Sequence, residues 1–460
     1  MKNACIFERQ LPSFKKWLLS CSFTCMVATA ELHAQSIQKL DDESMTKLEA
    51  ILSNYVYNHA VTGIGVAVIY NGKVAYTGAA GFAKTEPSNV SFTTQTKSLL
   101  ASISKTITGI MAMKMVNNGH LSLDATIDNY IPGYSGTQIT IRHLLDHQSG
   151  IAHYDHCPQG YDGPFNSTES LDVVKGCLQC VVPPGSAKLY TTFGSTLLGV
   201  IIDKVGLAVY NKGYGQLFLE WIAQPAAISN LIPAHDNSIS GLAQGHQSNG
   251  DAETSYWNDI GWKLPAGGFI ATPHDLAKYG AAVMNYTFLD SVTSNSMWVN
   301  QPTSGTPIVL CGEISNSSIG LSFFPSSSGN DLRISHSGSN QHGYSSLLYL
   351  YPKQRTGIVI LINKDITGSM LSNIRSDIEN IVLCTVNRNF TSEINWSGNW
   401  VYEASSKISA GNIVNTTGGA ITYDAGSSVT LTPGFNAVYG TRFTALIDGC
   451  MGNIKPINQN

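Results

Sequence analysis

The chain is short of charge. Lys and Arg number 27 and Asp and Glu 31 among 460 residues, 13% in all with a net charge of −4, against roughly 25% in ordinary soluble domains. Gly, Ser, Thr and Asn fill the gap. No basic block exists, which removes nucleic acid from the expected partners, and no acidic tail appears. Beyond the N-terminus, no stretch reads as long and apolar enough to span a bilayer. The length itself predicts a large core and more than one domain.

Two basic residues, Lys15 and Lys16, precede the apolar run Trp17 to Ala30, and "LHAQ" supplies small Ala34 at a cleavage point. This pattern predicts a signal peptide over residues 1–34 and an exported protein: periplasmic, cell-surface or secreted. The run is too short and too polar for a membrane helix. Of nine cysteines, Cys5, Cys21 and Cys25 leave with that segment, and Cys157, Cys177, Cys180, Cys311, Cys384 and Cys450 remain. An even number in an oxidising compartment predicts disulfides, with Cys157 bridging to Cys177 or Cys180. His153 and His156 with Cys157, Cys177 and Cys180 also resemble a zinc ligand set. The compartment favours disulfides, so no metal and no cofactor is expected.

Local patterns outline the organisation. Asp41 to His59 has helical periodicity. "IGVAVIYNGKVAYTGAAGFA" gives two alternating runs around Asn71-Gly72, a hairpin signal. Residues 102–116 predict a helix with Ile107, Ile110, Met111, Met113 and Met115 on its apolar side, stopped at Gly119. "ITIRHLLDHQSGI" and "FGSTLLGVIIDKVG" read as buried helices closed by Gly150 and Gly206. "SSLLYLYPKQRTGIVILINKD" is a second hairpin turning at Pro352 to Gly357, followed by a helix from Ser369 to Val386. Strands at both ends with helices between predict an α+β fold, one antiparallel sheet whose first and last strands meet. From "NWSGNW" onward the chain is rich in Gly, Thr and Ser and alternates, as at Ile421, Tyr423 and Ala425. The expected division is a main domain over 37–392 and a small all-β module over 400–450.

Ser102 stands three residues before Lys105 in "LASISKTITGIMAMKM". A serine hydroxyl needs a base to accept its proton, and a lysine one helical turn later can reach it. The pattern alone is weak: Ser13, Ser36 and Ser44 also begin Ser-x-x-Lys, and roughly two matches arise by chance at usual frequencies. A capped helix with a solvated lysine explains an isolated match. Company changes the odds. "LYTTFG" places Tyr190 two residues before Thr192 ahead of a helix, and "RISHSGSNQHGY" places His336-Ser337-Gly338 in an expected edge strand. His143, Asp146 and His147 read as structural groups at a loop–helix junction.

Ser102-x-x-Lys105, Tyr190-x-Thr192 and His336-Ser337-Gly338, in that order, resemble the serine β-lactamase and penicillin-binding-protein superfamily. "SISKTIT", "LLDHQSGIAHY", "LYTTFG" and the "AGGF" turn are most similar to mitochondrial serine β-lactamase-like proteins and their bacterial relatives. The resemblance covers about residues 45–385. It implies a β-lactamase/transpeptidase-like antiparallel sheet flanked by helices, with an all-helical region. It implies Ser102 as the acylated nucleophile, Lys105 as its proton partner and Tyr190 as a second acid/base. His336 would bind a substrate carboxylate or tune the Tyr190 proton, and the backbone N–H groups of Ser102 and Ser339 would form an oxyanion hole beside Ser337 and Gly338. Thr192 stands where many relatives have Asn, and His336 where they have Lys, which shifts the expectation from efficient β-lactamase toward peptidase or esterase. The expected substrate is a small molecule or peptide. A non-catalytic protein binding wall fragments or a partner is the alternative. In the tail, "AGSSVTLTPGFNAVYGTRFTALIDGC", with its Ala-Gly turn, apolar alternation and Pro-Gly-Phe, resembles the three-coathanger stack frequent in exported Bacteroidetes proteins over about residues 405–450, and the resemblance implies an exported bacterial protein and no chemistry.

Overall fold

The computed structural model describes residues 40–446, apart from residue 41, the segments 133–137, 155–162, 177–181, 256–259, 304–317, 329–330 and 383–387, and short stretches between the last strands. The signal-peptide reading, His156 and all six cysteines of the disulfide and zinc readings lie outside the described residues.

In chain order the strands of the main body are β1 (Gly63–Tyr70), β2 (Lys73–Lys84), β3 (Val90–Ser91), β4 (Ser98–Leu99), β5 (Leu231–Pro233), β6 (Phe269–Ala271), β7 (Phe324–Ser328), β8 (Asp331–Asn340), β9 (Tyr344–Tyr351) and β10 (Thr356–Ile362). The helices are α1 (Asp42–Tyr57), α2 (Ser104–Asn117), α3 (Ile141–Leu145), α4 (Ser167–Lys175), α5 (Thr192–Tyr210), α6 (Tyr214–Phe218), α7 (Leu264–Gly267), α8 (Pro273–Met284), α9 (Ser291–Met297) and α10 (Gly368–Val382).

Antiparallel pairing builds one sheet in the order β3-β2-β1-β10-β9-β8-β7. The first and last strands of the main domain, β1 and β10, are neighbours, with Val66 opposite Ile360. Asn71 and Gly72 both take positive φ, 53° and 71°, the geometry of the tight turn whose twist matches a hairpin. Alternation divides the sheet's side chains. Ile64, Val66, Val68, Ile358, Ile360 and Ile362 pack with Leu48, Leu52, Ile374 and Ile378 of α1 and α10. Ala67, Ile69, Val359 and Leu361 share the larger core with α2, α5 and α8.

Four sequence readings need correction. His336-Ser337-Gly338 lies in β8, but the outermost strand is β7, which pairs with β8 only over Asp331 to Ser335. The "IRHLLDHQSG" helix stops at Leu145, and Asp146 to Gly150 is loop, because His147 takes φ +59° and Gly150 φ +73°. α5 runs past Gly206 to Tyr210 and ends where Asn211 turns left-handed. By length and composition α5 is also apolar enough to cross a membrane, contrary to the sequence reading, but 67% of its apolar window is buried inside the protein. A core helix packed on several sides carries the same apolar content as a spanning one.

The C-terminal strands coil rather than zigzag. While β4, β6 and β5 form a separate antiparallel three-stranded sheet in the main body, Trp400–Ala404, Ala420–Ala425 and Arg442–Leu446 stack in parallel as one of three parallel three-stranded sheets among the described C-terminal residues. Ile408, Ala410, Ile421 and Tyr423 fill the interior with Phe435 and Phe443.

Candidate active site

Residues 98–105 form the floor of the site. Ser98 and Leu99 pair with β6, and the Leu100 N–H donates to Phe269 O at 2.8 Å. Ala101 then takes φ +44°, a left-handed conformation costing a non-glycine residue on the order of 1 kcal/mol. That turn starts a 3₁₀ segment, Ala101–Ile103, which runs into α2. Ser102 is not a helix cap. Neither Leu100 nor Ile103, at the starts of the two helical segments, makes a side-chain capping bond.

α2 is buried on almost every side, not along one stripe: Ser104, Thr106, Ile107, Thr108, Ile110, Met111, Met113 and Met115 are all 2% exposed or less. Its polar residues find partners. Thr106 Oγ1 accepts from Tyr279 at 2.9 Å, and Thr108 Oγ1 donates to Pro265 O at 2.5 Å. Lys105 is 1% exposed. Its amine donates to Ala266 O at 2.8 Å and lies 3.0 Å from Ser102 Oγ and 3.4 Å from Thr192 Oγ1. Burial, and then the charge of Lys263, draw its pKa down to about 7. An amine so placed exchanges a proton near neutral pH.

Tyr190 arrives from the far side. Its hydroxyl hydrogen-bonds Ser102, and burial raises its pKa above the ordinary phenol value. It therefore stays protonated at neutral pH. Lys105 Nζ sits 5.1 Å from the centre of its ring. Segment 147–153 sets the Tyr190 backbone. Leu189 N–H donates to His147 O at 2.7 Å, Thr191 N–H to His147 Nδ1 at 3.2 Å, and Thr192 N–H to His153 Nδ1 at 3.3 Å. The His147 ring also lies 4.4 Å from the Tyr190 ring. Gly150 lets this segment close: a Cβ there would sit 2.0 Å from Val182 O. His143, by contrast, caps α3 with Thr140, and Asp146 binds Gln148.

The opposite wall is β8. A Cβ on Gly338 would meet Leu100 O at 2.2 Å and Ser102 N at 2.9 Å, so only glycine lets the strand approach the serine this closely. His336 is 2% exposed, and its Nδ1 lies 2.7 Å from Ser337 O. That contact puts the ring proton on Nδ1 and leaves Nε2 an acceptor with no hydrogen-bond partner among the described residues. Burial and the nearby Lys105 lower its pKa to about 3. Held neutral, the imidazole can exchange hydrogen bonds but offers a carboxylate no charge. Ser339 lines the cleft, with its hydroxyl 3.3 Å from Asp365 Oδ1.

A cleft of about 440 Å³ joins these parts, lined by Ser102, Tyr190, Thr192, His336, Ser337 and Ser339 together with His153, Tyr154, Lys263 and Phe324. Thus every residue expected from the sequence meets at one place, Lys105 from beneath and Gly338 behind. His147, His153 and Lys263 were missed as neighbours of the site. The two histidines stand in "LLDHQSGIAHY" and Lys263 just before the "AGGF" turn, so the signal was position beside segments already singled out.

This architecture has relatives. The family model described as Beta-lactamase matches residues 48–379. The chain belongs to the beta-lactamase family. Protein flp of Staphylococcus aureus (strain MRSA252) is 23% identical over 357 residues, 74% of this chain and 68% of that protein. The human mitochondrial serine beta-lactamase-like protein LACTB is 24% identical over 296 residues, 48% of this chain and 53% of that one. Among solved structures, D-amino acid amidase from Ochrobactrum anthropi SV3 superposes with a TM-score of 0.61 at 19% identity, covering 74% of this chain and 98% of the amidase. FmtA from Staphylococcus aureus gives 0.59 at 18%, covering 75% and 91%. At such identities the likeness is one of fold.

Proposed function

We propose that this protein is an exported serine hydrolase that forms an acyl-enzyme on Ser102 with D-amino-acid peptides, small amides and esters, or β-lactams. The observation that carries the reading is the buried Lys105 amine, 3.0 Å from Ser102 Oγ with its pKa drawn to about 7. A lysine drawn down toward neutral pH is poised to take the serine proton.

In acylation, Ser102 Oγ bonds to the substrate carbonyl carbon while its proton passes to Lys105 Nζ. The Ser102 N–H and the backbone of Ser339 on β8 receive the negative oxygen. As the tetrahedral species collapses, Tyr190 gives its phenol proton to the departing nitrogen or oxygen and recovers one from the Lys105 ammonium. Water then attacks the acyl carbon, losing a proton through Tyr190 to Lys105, and Ser102 Oγ leaves and is reprotonated. The raised Tyr190 pKa fits a relay that starts protonated rather than a standing phenolate base. His336, neutral and with an Nε2 that has no partner among the described residues, serves as a hydrogen-bond acceptor at the Tyr190 side.

No metal or cofactor enters this scheme. Residues 37–392 carry the chemistry, and residues 400–450 form an accessory β module. Export is supported by the basic-then-apolar N-terminal pattern. The test is to incubate the protein and Ser102→Ala with a fluorescent penicillin and an activated ester, then read intact mass. A stoichiometric adduct or turnover that disappears in Ser102→Ala is expected. Absence of both with each probe would refute the acyl-enzyme.

A further inference from the structure

The turn behind Tyr190 is closed by a buried carboxyl group. Asp146, just after α3, is 0% exposed, and both of its oxygens accept from one residue. Oδ1 accepts from the Gln148 N–H at 3.2 Å and Oδ2 from Gln148 Nε2 at 2.9 Å. These two bonds span His147, whose φ of +59° is a left-handed conformation that a non-glycine residue keeps only where its surroundings hold it. His147 in turn holds Tyr190 from both sides, its carbonyl accepting from the Leu189 N–H and its Nδ1 from the Thr191 N–H. Gln148 ties the turn outward as well: its carbonyl accepts from the Gly185 N–H at 2.8 Å, and its amide donates to Pro302 O at 3.0 Å. Because the Gln148 N–H is shared with His143 O at 2.9 Å, the side-chain bond to Oδ2 depends most on the carboxylate.

Gln148 is the one hydrogen-bond partner of this carboxyl group among the described residues. Arg142 on α3 and Lys188 ahead of Tyr190 act on it through space, the first bonded to Asp124 at 2.7 Å and the second to Asn300 Oδ1 at 2.5 Å. Burial holds the imidazoles of His143 and His147, on the same stretch, below their ordinary value. Burial also outweighs both cations and the Gln148 bonds at Asp146 and pushes its carboxyl group up to about 7. An ionised carboxylate only accepts, and its charge strengthens both bonds. Protonation removes that charge and puts an O–H on an oxygen that faces an N–H donor. We infer that Asp146 is a positioning residue for Tyr190 and that its proton works as a latch: the carboxylate closes the turn and keeps the tyrosine beside Ser102, and the protonated form releases it. This deepens the reading of Tyr190 as the proton relay and rests on it.

The experiment follows Tyr190 itself. The full chain carries 13C at the tyrosine Cζ in a Lys105→Met background, so that the Lys105 amine cannot titrate beside the ring. The Tyr190 resonance is identified by its loss in Tyr190→Phe and followed from pH 5 to pH 9. It should move with a midpoint near 7 in Lys105→Met and stay still when Asp146→Asn is added, because an amide is neutral throughout. Gln148→Met, which removes the Oδ2 bond and leaves the carboxyl group, should shrink the movement to less than half; it decides the matter if the Asp146→Asn protein does not fold. With Lys105 intact, ester hydrolysis by Asp146→Asn should show kcat about fivefold or more below the parent at pH 9. That gap should close toward pH 5.5, where both proteins carry a neutral group, with KM little changed. A resonance that does not move in Lys105→Met, or moves equally with Asp146→Asn or Gln148→Met, would overturn the latch, as would a kinetic gap independent of pH. A resonance that moves only with Asp146 present, in a protein that hydrolyses neither ester nor penicillin, would keep the latch and discard the acyl-enzyme.

Discussion

Replacing Lys105 by methionine should produce a protein that is inactive and, at mildly acid pH, more stable than the parent. The amine is 1% exposed and held at about 7, against 10.5 for the free side chain. The folded state therefore binds this proton less tightly than the unfolded chain does. Below pH 7 both states are protonated and the fold bears the whole cost of a buried ammonium, on the order of 5 kcal/mol. From pH 7 to 10.5 the folded amine is neutral while the unfolded one is still charged, and the cost shrinks steadily to nothing. Methionine fills a similar volume without charge but orphans Ala266 O, which accepts from the amine at 2.8 Å, a loss of about 1–3 kcal/mol. The net expectation is stabilisation by about 3 kcal/mol at pH 6 and near equality at pH 9. Urea unfolding of both proteins at these two pH values reads the difference, and hydrolysis of an activated ester reads activity. In the parent, kcat/KM should rise through pH 7 as Lys105 loses its proton. His336, held at about 3, contributes no limb above pH 4. A methionine variant less stable than the parent at pH 6, or a difference that does not change with pH, would show that Lys105 is not a strained, near-neutral base.

Gly338→Ala should cost about 1–3 kcal/mol and most of the activity, because its Cβ would press on Leu100 O and Ser102 N, both backbone atoms; thermal melts and ester hydrolysis check both. His147→Leu removes the acceptor of the Thr191 N–H and frees Tyr190 to shift, so kcat should fall about tenfold or more with KM little changed. His147→Asn, whose amide oxygen can accept the same bond, should recover part of the loss, and equal kcat for the two variants would refute a positioning role.

Much of this protein is decided by its residues taken locally. Asn71-Gly72 can close only a tight hairpin, and the alternation of Ile64, Val66 and Val68 commits β1 to two buried faces, because both depend on neighbours in the chain. Ser102-x-x-Lys105, Tyr190-x-Thr192 and His336-Ser337-Gly338 were legible as a set for the same reason: each is a short pattern on one turn or strand. Their meeting within one cleft follows from the pairing of β1 with β10 and the closeness of β8 to the Ala101 turn, contacts between distant residues that periodicity does not encode. Tertiary structure alone also decided the protonation states. Lys105 is an ordinary lysine until α2 is enclosed on all sides, and His336 an ordinary histidine until β7 and Phe324 cover it. His147 read as a capping group because a loop–helix junction commonly uses one; only the fold lays its ring against Tyr190. Charge in water is a property of the residue type, whereas charge in this cleft is a property of what surrounds the residue. Desolvation is not written in any local pattern.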